Sequence, residues 1–486
     1  MFKRLAVVLI LLSPSLAWTE EPPGGDVTLE TDGTIEEDRG RGLVSNTTLD
    51  RYVEEGLRSN LSLMRSRFSY QKSLQALKEA RGAFFPTISL SSRYSRAEGG
   101  RSIDIPIGDL ANPMQDALNT LLANDGLPAT FPSNVENESI PLLPEEDQET
   151  KLHVTQPILN GRIVRGYRLQ KNLTASEEAG LEMYTNQLVG EIKSAYYTYL
   201  KTRKIVELYR ATRPLLEENL RVSERLFAAQ SATEEVVFRS RAELAGLDRE
   251  LEEAVRDQEV AGGYFNVLLN RPLDAPIEVS GPAENGSETG MTPVRIPCDT
   301  LEEHALAHRP EIRRLRFALK AAESGVRLAA AERMPSLTGV FDYGFQGESY
   351  RFTSDEEYWA ASLVLEWELF DGLRNDARRR QAEHERDALE TSLRDLENQI
   401  RLQVFRAYRS AGVARRAIES TGERLASEEK TFEIIRRRYE NGLVSQIEFI
   451  ETRTSLTDAK VHNILARYDY LIRLSELEEV SALYER

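Results

Sequence analysis

Cysteine is almost missing from this chain of 486 residues: Cys298 is the single one. No internal disulfide can staple the fold, and a thiol so far from the N-terminus cannot carry a lipid anchor there. Long apolar runs are also missing. The best of them, Leu5 to Leu12, is far short of the roughly 20 residues that a helix needs to cross a bilayer. Proline stops at Pro335, so nothing after it breaks a helix from within. There is no glycine-rich phosphate loop, nucleophile elbow or cysteine and histidine cluster, and the usual footholds of an enzyme or an energy-coupled machine are absent. A basic face is lacking as well: the net charge is -17 and the pI about 5.1, which argues against a nucleic-acid partner and suits a soluble, charged surface.

Two weak chemical signals dissolve on inspection. His304 and His308 lie four apart on one helix face beside Glu303 and Glu311, but a third well-placed ligand is wanting, so they read as exposed helix positions. Ser69-Tyr-Gln-Lys72 has the Ser-x-x-Lys form without its companion motifs, which makes it a coincidence. The expectation is a protein that is not an enzyme and carries no cofactor or metal.

The N-terminus reads as an export signal over 1–17: Lys3-Arg4, then the short apolar run, then Ser15-Leu-Ala17. Residues 18–45 are acidic and rich in glycine and proline, too poor in large apolar groups to order themselves.

Beyond this leader the chain says everything twice. Gln156-Pro-Ile-Leu-Asn-Gly-Arg162 and Glu368-Leu-Phe-Asp-Gly-Leu-Arg374 are versions of one phrase, and Leu57 to Pro86 matches Leu306 to Pro335 in order and spacing. The expected boundaries are a first repeat at 46–272, a linker at 273–298 and a second repeat at 299–486. Each repeat begins with helical periodicity, Thr48 to Arg81 and from a capping box at Thr300-Leu-Glu-Glu303. Each proline is followed by alternation of period two. Ile88, Leu90 and Tyr94 alternate with serines and Arg93; Leu337, Phe341, Tyr343 and Phe345 alternate with Thr338, Asp342 and Gln346. A third strand covers about Lys151 to Ile158. The clearest puts Trp359, Ala361, Leu363, Leu365, Trp367 and Leu369 on one face and Ser362, Val364, Glu366 and Glu368 on the other. The segment from Ala97 to Thr150 is a long loop with a short amphipathic helix at Met114 to Ala123.

The remainder is helical with apolar positions spaced near 3.5, such as Leu393, Leu396, Ile400, Val404, Ala407 and Ala411, the seam of a coiled coil. The chain turns at Asn441-Gly442 and returns through Ile447, Ile450, Val461 and Ile464; the first repeat turns near 228–232. About 67 residues from Arg374 to Glu440 reach roughly 100 Å, which suits a projecting tube.

Four amphipathic strands cannot close a membrane barrel, whose smallest forms use about eight, and open edges are forbidden in lipid. Copies must share one wall, with two or three chains giving about 8 or 12 strands. Trp359 and Trp367 then mark the interfacial belt, Leu363, Leu365, Phe341 and Tyr343 the lipid face, and Glu366 and Glu368 the lumen.

The duplicated order, the Leu-Phe-Asp-Gly phrase, Leu269-Asn-Arg-Pro272, and Arg438-Tyr-Glu-Asn-Gly-Leu-Val-Ser445 followed by Ile447-Glu-Phe-Ile-Glu451 together resemble the TolC-like outer-membrane factor family from about residue 46 onward. The resemblance implies a mainly α protein with a membrane β-barrel: a homotrimer with a 12-stranded barrel in outer-membrane lipid of a Gram-negative type envelope and a periplasmic α-barrel of long hairpins. It implies an exit duct for efflux or type I secretion, partnered by a periplasmic adaptor and an inner-membrane transporter. It also places Glu448 and Glu451 at the periplasmic mouth, with Glu235 as their counterpart in the first hairpin. Tyr439, Gly442 and Ala229 fall at the turns where an adaptor docks. Val444 stands where some relatives carry a basic residue that ties the mouth shut, so that kind of salt-bridged gate is not expected. The competing reading is a periplasmic coiled-coil adaptor or scaffold without a pore, which calls for one hairpin flanked by compact β-domains.

Overall fold

The computed structural model describes residues 47–132, 134–279 and 294–483. The proposed signal 1–17, the leader 18–45 and residues 280–293 of the linker lie outside the described residues. The first pass comprises α1 (Thr47–Ser59), α2 (Leu61–Gly82), β1 (Thr87–Arg96), the short β2 (Ser102–Ile105), α3 (Ile107–Asn124) and β3 (Glu138–Pro141), β4 (Glu146–Leu159), α4 (Gly161–Ala228) and α5 (Glu234–Leu268). The second comprises α6 (Cys298–His308), α7 (Pro310–Ala331), β5 (Ser336–Gly347), β6 (Glu357–Glu366), α8 (Arg374–Glu440) and α9 (Gln446–Ser481).

Two expectations for the opening helices need correction. The single helix expected from Thr48 to Arg81 is two, because Asn60 leaves helical geometry and its side chain is used twice over. Its Oδ1 accepts from Leu63 N at 2.9 Å while its Nδ2 donates to Leu268 O at 2.9 Å. In the second repeat the break falls at Arg309, followed by Pro310 as the first helical residue. The capping box at Thr300 does not form either. The helix already starts at Cys298 behind Pro297, and Thr300 lies inside its first turn.

The long helices run 68 residues in α4 and 67 in α8, each about 100 Å, and α4 continues through Pro214. Their starts show the shared phrase at work. Asn160 Oδ1 accepts from Arg162 N at 3.0 Å, and Asp371 Oδ2 accepts from Asn375 N at 2.6 Å. In the second copy Gly372 and Leu373 both take positive φ, 70° and 66°, to bring Asp371 into range.

Two apolar cores hold the near ends of the hairpins. In one, Tyr52 meets Phe265 edge-on at 5.0 Å, with Tyr196, Leu188, Ile192 and Leu200 around them. In the other, Leu301 and Ile312 pack on Ile400, Val404 and Leu474. Helix α9 serves both, Tyr468 and Leu471 in the first and Tyr470 and Leu477 in the second, so this one element pins the repeats together.

Beside these cores a cleft of about 430 Å³ opens between α4, α5 and α9, lined by Glu191, Tyr264, Arg473, Glu476 and Glu479. Burial first, and then the Glu191 carboxylate, push Glu479 up to about 7 from its usual 4.5, with Glu311 and Glu476 adding to the effect and Arg309 opposing it. The folded chain therefore holds a proton there that the unfolded chain gives up. This contribution to stability is complete below about pH 4.5 and is lost as pH rises through about 7, on the order of 3 kcal/mol at most. Glu479→Gln should flatten the fall in unfolding temperature across that window. Melting curves that decline in parallel with the unsubstituted protein would remove Glu479 as the titrating group.

Candidate functional site

Strands β1, β4, β5 and β6 form one antiparallel sheet in that order, so β1 and β6 are its open edges. The register stacks Ile88, Val154, Phe341 and Ala361 in one row and Leu90, Leu152, Tyr343 and Trp359 in the next. All of this lies on one face, continued by Leu363 and Leu365. It is uncovered: Leu90 is 74%, Trp359 69% and Leu363 71% exposed. A contiguous apolar face of this kind marks a surface that meets something other than water. Aromatic rings gather at the end nearest the strand connections, where Tyr350 and Phe352 sit 5.4 Å apart and Phe345 meets Phe352 at 5.3 Å.

The opposite face is polar and cross-linked by its own charges. His153 Nδ1 lies 2.5 Å from Asp342 Oδ1, Lys151 Nζ donates to Glu149 Oε1 at 3.0 Å, Tyr358 Oη donates to the same oxygen at 2.7 Å, and Arg93 pairs with Asp147 at 2.9 Å. Glu366 is on this face, opposite Ser336. Trp367, Glu368 and Leu369 are past the strand, contrary to the reading that carried alternation through Leu369. Trp367 Nε1 reaches back to Arg333 O at 3.1 Å and Glu368 lies 3.6 Å from Arg374, so the chain is already turning into α8. Strand β4 is longer than its alternation suggested, 14 residues, because its polar start is paired on both sides, by Arg96 and by Gly347.

At the far ends of the hairpins the two turns share a hydrogen-bond pattern. Gly442 N donates to Tyr439 O at 2.9 Å and Leu443 N to Arg438 O at 2.8 Å; Gln230 N donates to Phe227 O at 2.9 Å and Ser231 N to Leu226 O at 2.8 Å. Gln230 therefore occupies the left-handed position of Gly442, with φ 55° against 72°. Ala229 corresponds to Asn441. This shifts the expected register by one residue: Val236, not Glu235, is the counterpart of Glu448, and Glu235 matches Ile447. The turn geometry sets the correspondence, and the pairing by sequence words alone could not.

Glu448 and Glu451 are exposed, three residues apart in the first turns of α9, where Ser445 Oγ accepts from Glu448 N at 3.2 Å. Glu235 is exposed too, but lies 3.2 Å from Arg239 on its own helix. Tyr439 stacks on Phe449 at 4.7 Å, fixing the second turn, and burial pushes its hydroxyl up. Sequence reasoning missed a polar knot behind these residues. Gln446 Nε2 reaches Ser223 Oγ at 2.5 Å and Ser240 Oγ at 2.9 Å, both serines being fully buried. Two turns further along α9, buried Arg453 lies 3.6 Å from Glu243. Both contacts tie α9 of the second hairpin to the first.

Among the described residues no three histidine, cysteine or carboxylate groups are placed to hold a metal ion. His304 Nδ1 is engaged by Ser481 O at 2.8 Å and His308 Nδ1 by His304 O at 2.9 Å.

Residues 301–482 match the family model described as outer membrane efflux protein. The fold superposes on the Campylobacter jejuni CmeC outer membrane channel with a TM-score of 0.73, covering 97% of this chain and 94% of that one at 16% identity. The second repeat thus carries the match to that family, and the whole chain has the fold of an outer-membrane channel. Two curated relatives agree. The alkaline protease secretion protein AprF of Pseudomonas aeruginosa is 23% identical over 333 residues, 67% of this chain and 68% of AprF. The probable outer membrane lipoprotein SilC of Salmonella typhimurium is 24% identical over 299 residues, 59% of this chain and 61% of SilC. No helix among the described residues is long and apolar enough to cross a membrane.

Proposed function

We propose that three copies of this chain form a passive exit duct through which an inner-membrane transporter, joined by a periplasmic adaptor, delivers substrates across the periplasm and outer membrane. The observation that carries this reading is the four-stranded sheet with one apolar face and two unpaired edges. In lipid those edges need partners, and β6 of one copy beside β1 of the next supplies them until about 12 strands close a ring. The face with His153, Asp342, Glu149 and Glu366 then lines water, where its charges are cheaply solvated. The two repeats, bounded near 46–272 and 299–486, supply six similar hairpins for a helical tube below the barrel. The turns at Gly442 and Gln230 are the ends available to an adaptor. The family description of efflux and the secretion role in the name AprF call for the same kind of conduit, so the cargo class stays with the pump.

Glu448 and Glu451 would ring the periplasmic mouth and favour cations. The test is the full-length chain purified in lipid: a heat-resistant trimer on gels and ion conductance in planar bilayers. Glu448→Gln with Glu451→Gln should bring the reversal potential in a salt gradient toward zero while trimers persist. A monomer that leaves bilayers intact would overturn the duct. Unaltered selectivity in the double variant would remove these two carboxylates from its mouth.

A further inference from the structure

The excursion between β1 and β4 contains a helix that is inside out. Helix α3 uses its polar face for its own protomer. Asn112 donates to Val135 O at 2.9 Å and accepts from Val135 N at 2.8 Å, and Asn119 donates to Phe131 O at 2.8 Å. Asn137 Oδ1 accepts from Asp109 N at 3.1 Å. Gly108 is pressed so close that a Cβ there would meet Val135 O at 2.1 Å. The clasp fixes the rotation of the helix and turns Ile107, Leu110, Met114, Leu118 and Leu121 outward. Leu110 is 75% exposed, Met114 62% and Leu121 63%. In a globular protein this stripe would face the core, so a fixed helix presenting it outward has a partner elsewhere.

We propose that the partner is the same helix of the sister copies, so that the α3 helices pack together as a cap over the barrel's outer opening. This rests on the three-copy duct. Two features favour that occupant. The excursion leaves the sheet directly from β1, an open edge, so whichever chain pairs with that edge stands next to it. Helix α3 also carries Asp109 and Asp116 and no lysine or arginine, the wrong charge for lying on an anionic lipid surface, where basic residues dominate the polar face. A stripe this small cannot hold chains together alone, since a stable interface buries about 800 Å² per partner. The strand edges would do that, and the cap would follow from it.

The test uses the full chain with Cys298→Ser. Met114→Cys, treated with a short thiol crosslinker on purified trimers in lipid, should join chains to one another, whereas Asp116→Cys on the opposite side should join few. Leu110→Glu with Leu121→Glu should raise single-channel conductance severalfold with trimers intact. Trimers that form normally but give no Met114→Cys crosslink overturn the cap and leave the duct standing. So does a fluorophore at that cysteine that is quenched by nitroxide-labelled lipid, which would assign the stripe to the membrane. Absence of trimers in the unsubstituted chain would instead overturn the duct and the cap together.

Discussion

Lys193→Met should destabilise the protein by about 3–5 kcal/mol, the loss expected when one member of a buried ion pair is removed and the other is left uncompensated. Lys193 Nζ lies 2.6 Å from Glu478 Oε2, and the two side chains are only 10% and 2% exposed. The remaining Glu478 oxygen, Oε1, is buried with no hydrogen-bond partner, so the carboxylate depends heavily on this ammonium. Asp50 also loses by the change. Burial pushes its carboxyl up and Lys193 holds it down, so without the lysine its charged form has less support. Tyr197, whose hydroxyl is pushed up by burial and then by Glu478, stays neutral and brings no positive charge to the pair. The measurement is denaturant unfolding in detergent with the double variant Lys193→Met, Glu478→Leu beside the single one. Apolar replacement of both partners should recover most of the loss, because the cost lies in the stranded charge. A single variant as stable as the parent, or a double variant worse than the single, would refute this account.

Gln446→Ala should raise single-channel conductance by favouring an open tip. Its amide joins two fully buried serines on the first hairpin, Ser223 and Ser240, which also meet each other at 2.9 Å. Every bond it makes there crosses from α9 to α4 or α5, the elements that must separate if opening is a splaying of hairpins. Losing about 1–2 kcal/mol of such contacts shifts the closed-to-open ratio by roughly 5- to 30-fold. Ser240→Ala should act in the same direction and add little on top of Gln446→Ala, since the two share one knot. Conductance unchanged in both variants would mean that these contacts lie within a unit that moves as one body.

The sequence was most legible where one residue's pattern reports its own environment. Alternation from Trp359 to Glu366 announced a strand with two unlike faces, and Asn441-Gly442 announced a turn because few residues accept a left-handed backbone. Repetition gave the order of elements. What stayed hidden depends on meetings between distant positions. Ser223, Ser240 and Gln446 are ordinary polar residues in a charged chain until the fold puts them together. Lys193 and Glu478, 285 positions apart, stay hidden as a pair for the same reason. Asn60 broke a helix through a bond to Leu268 O, which no local spacing can foretell. The β2 and β3 pair and the first turns of α3 were missed because the clasp that holds them is built of asparagines, residues that ordinarily mark a loop. The pairing of Glu235 with Glu448 failed by a single residue because the first turn uses Gln230 where the second uses glycine.

The two open edges of the sheet also have a genetic consequence. In the proposed three-copy ring each copy completes a seam on its left and another on its right, so a chain with one ruined edge spoils its neighbours' wall as well as its own. In a cell making sound and edge-defective chains in equal amounts, random mixing of three leaves about one assembly in eight without a faulty member. An allele of that kind should behave as dominant, whereas an allele that prevents the chain from being made should be recessive.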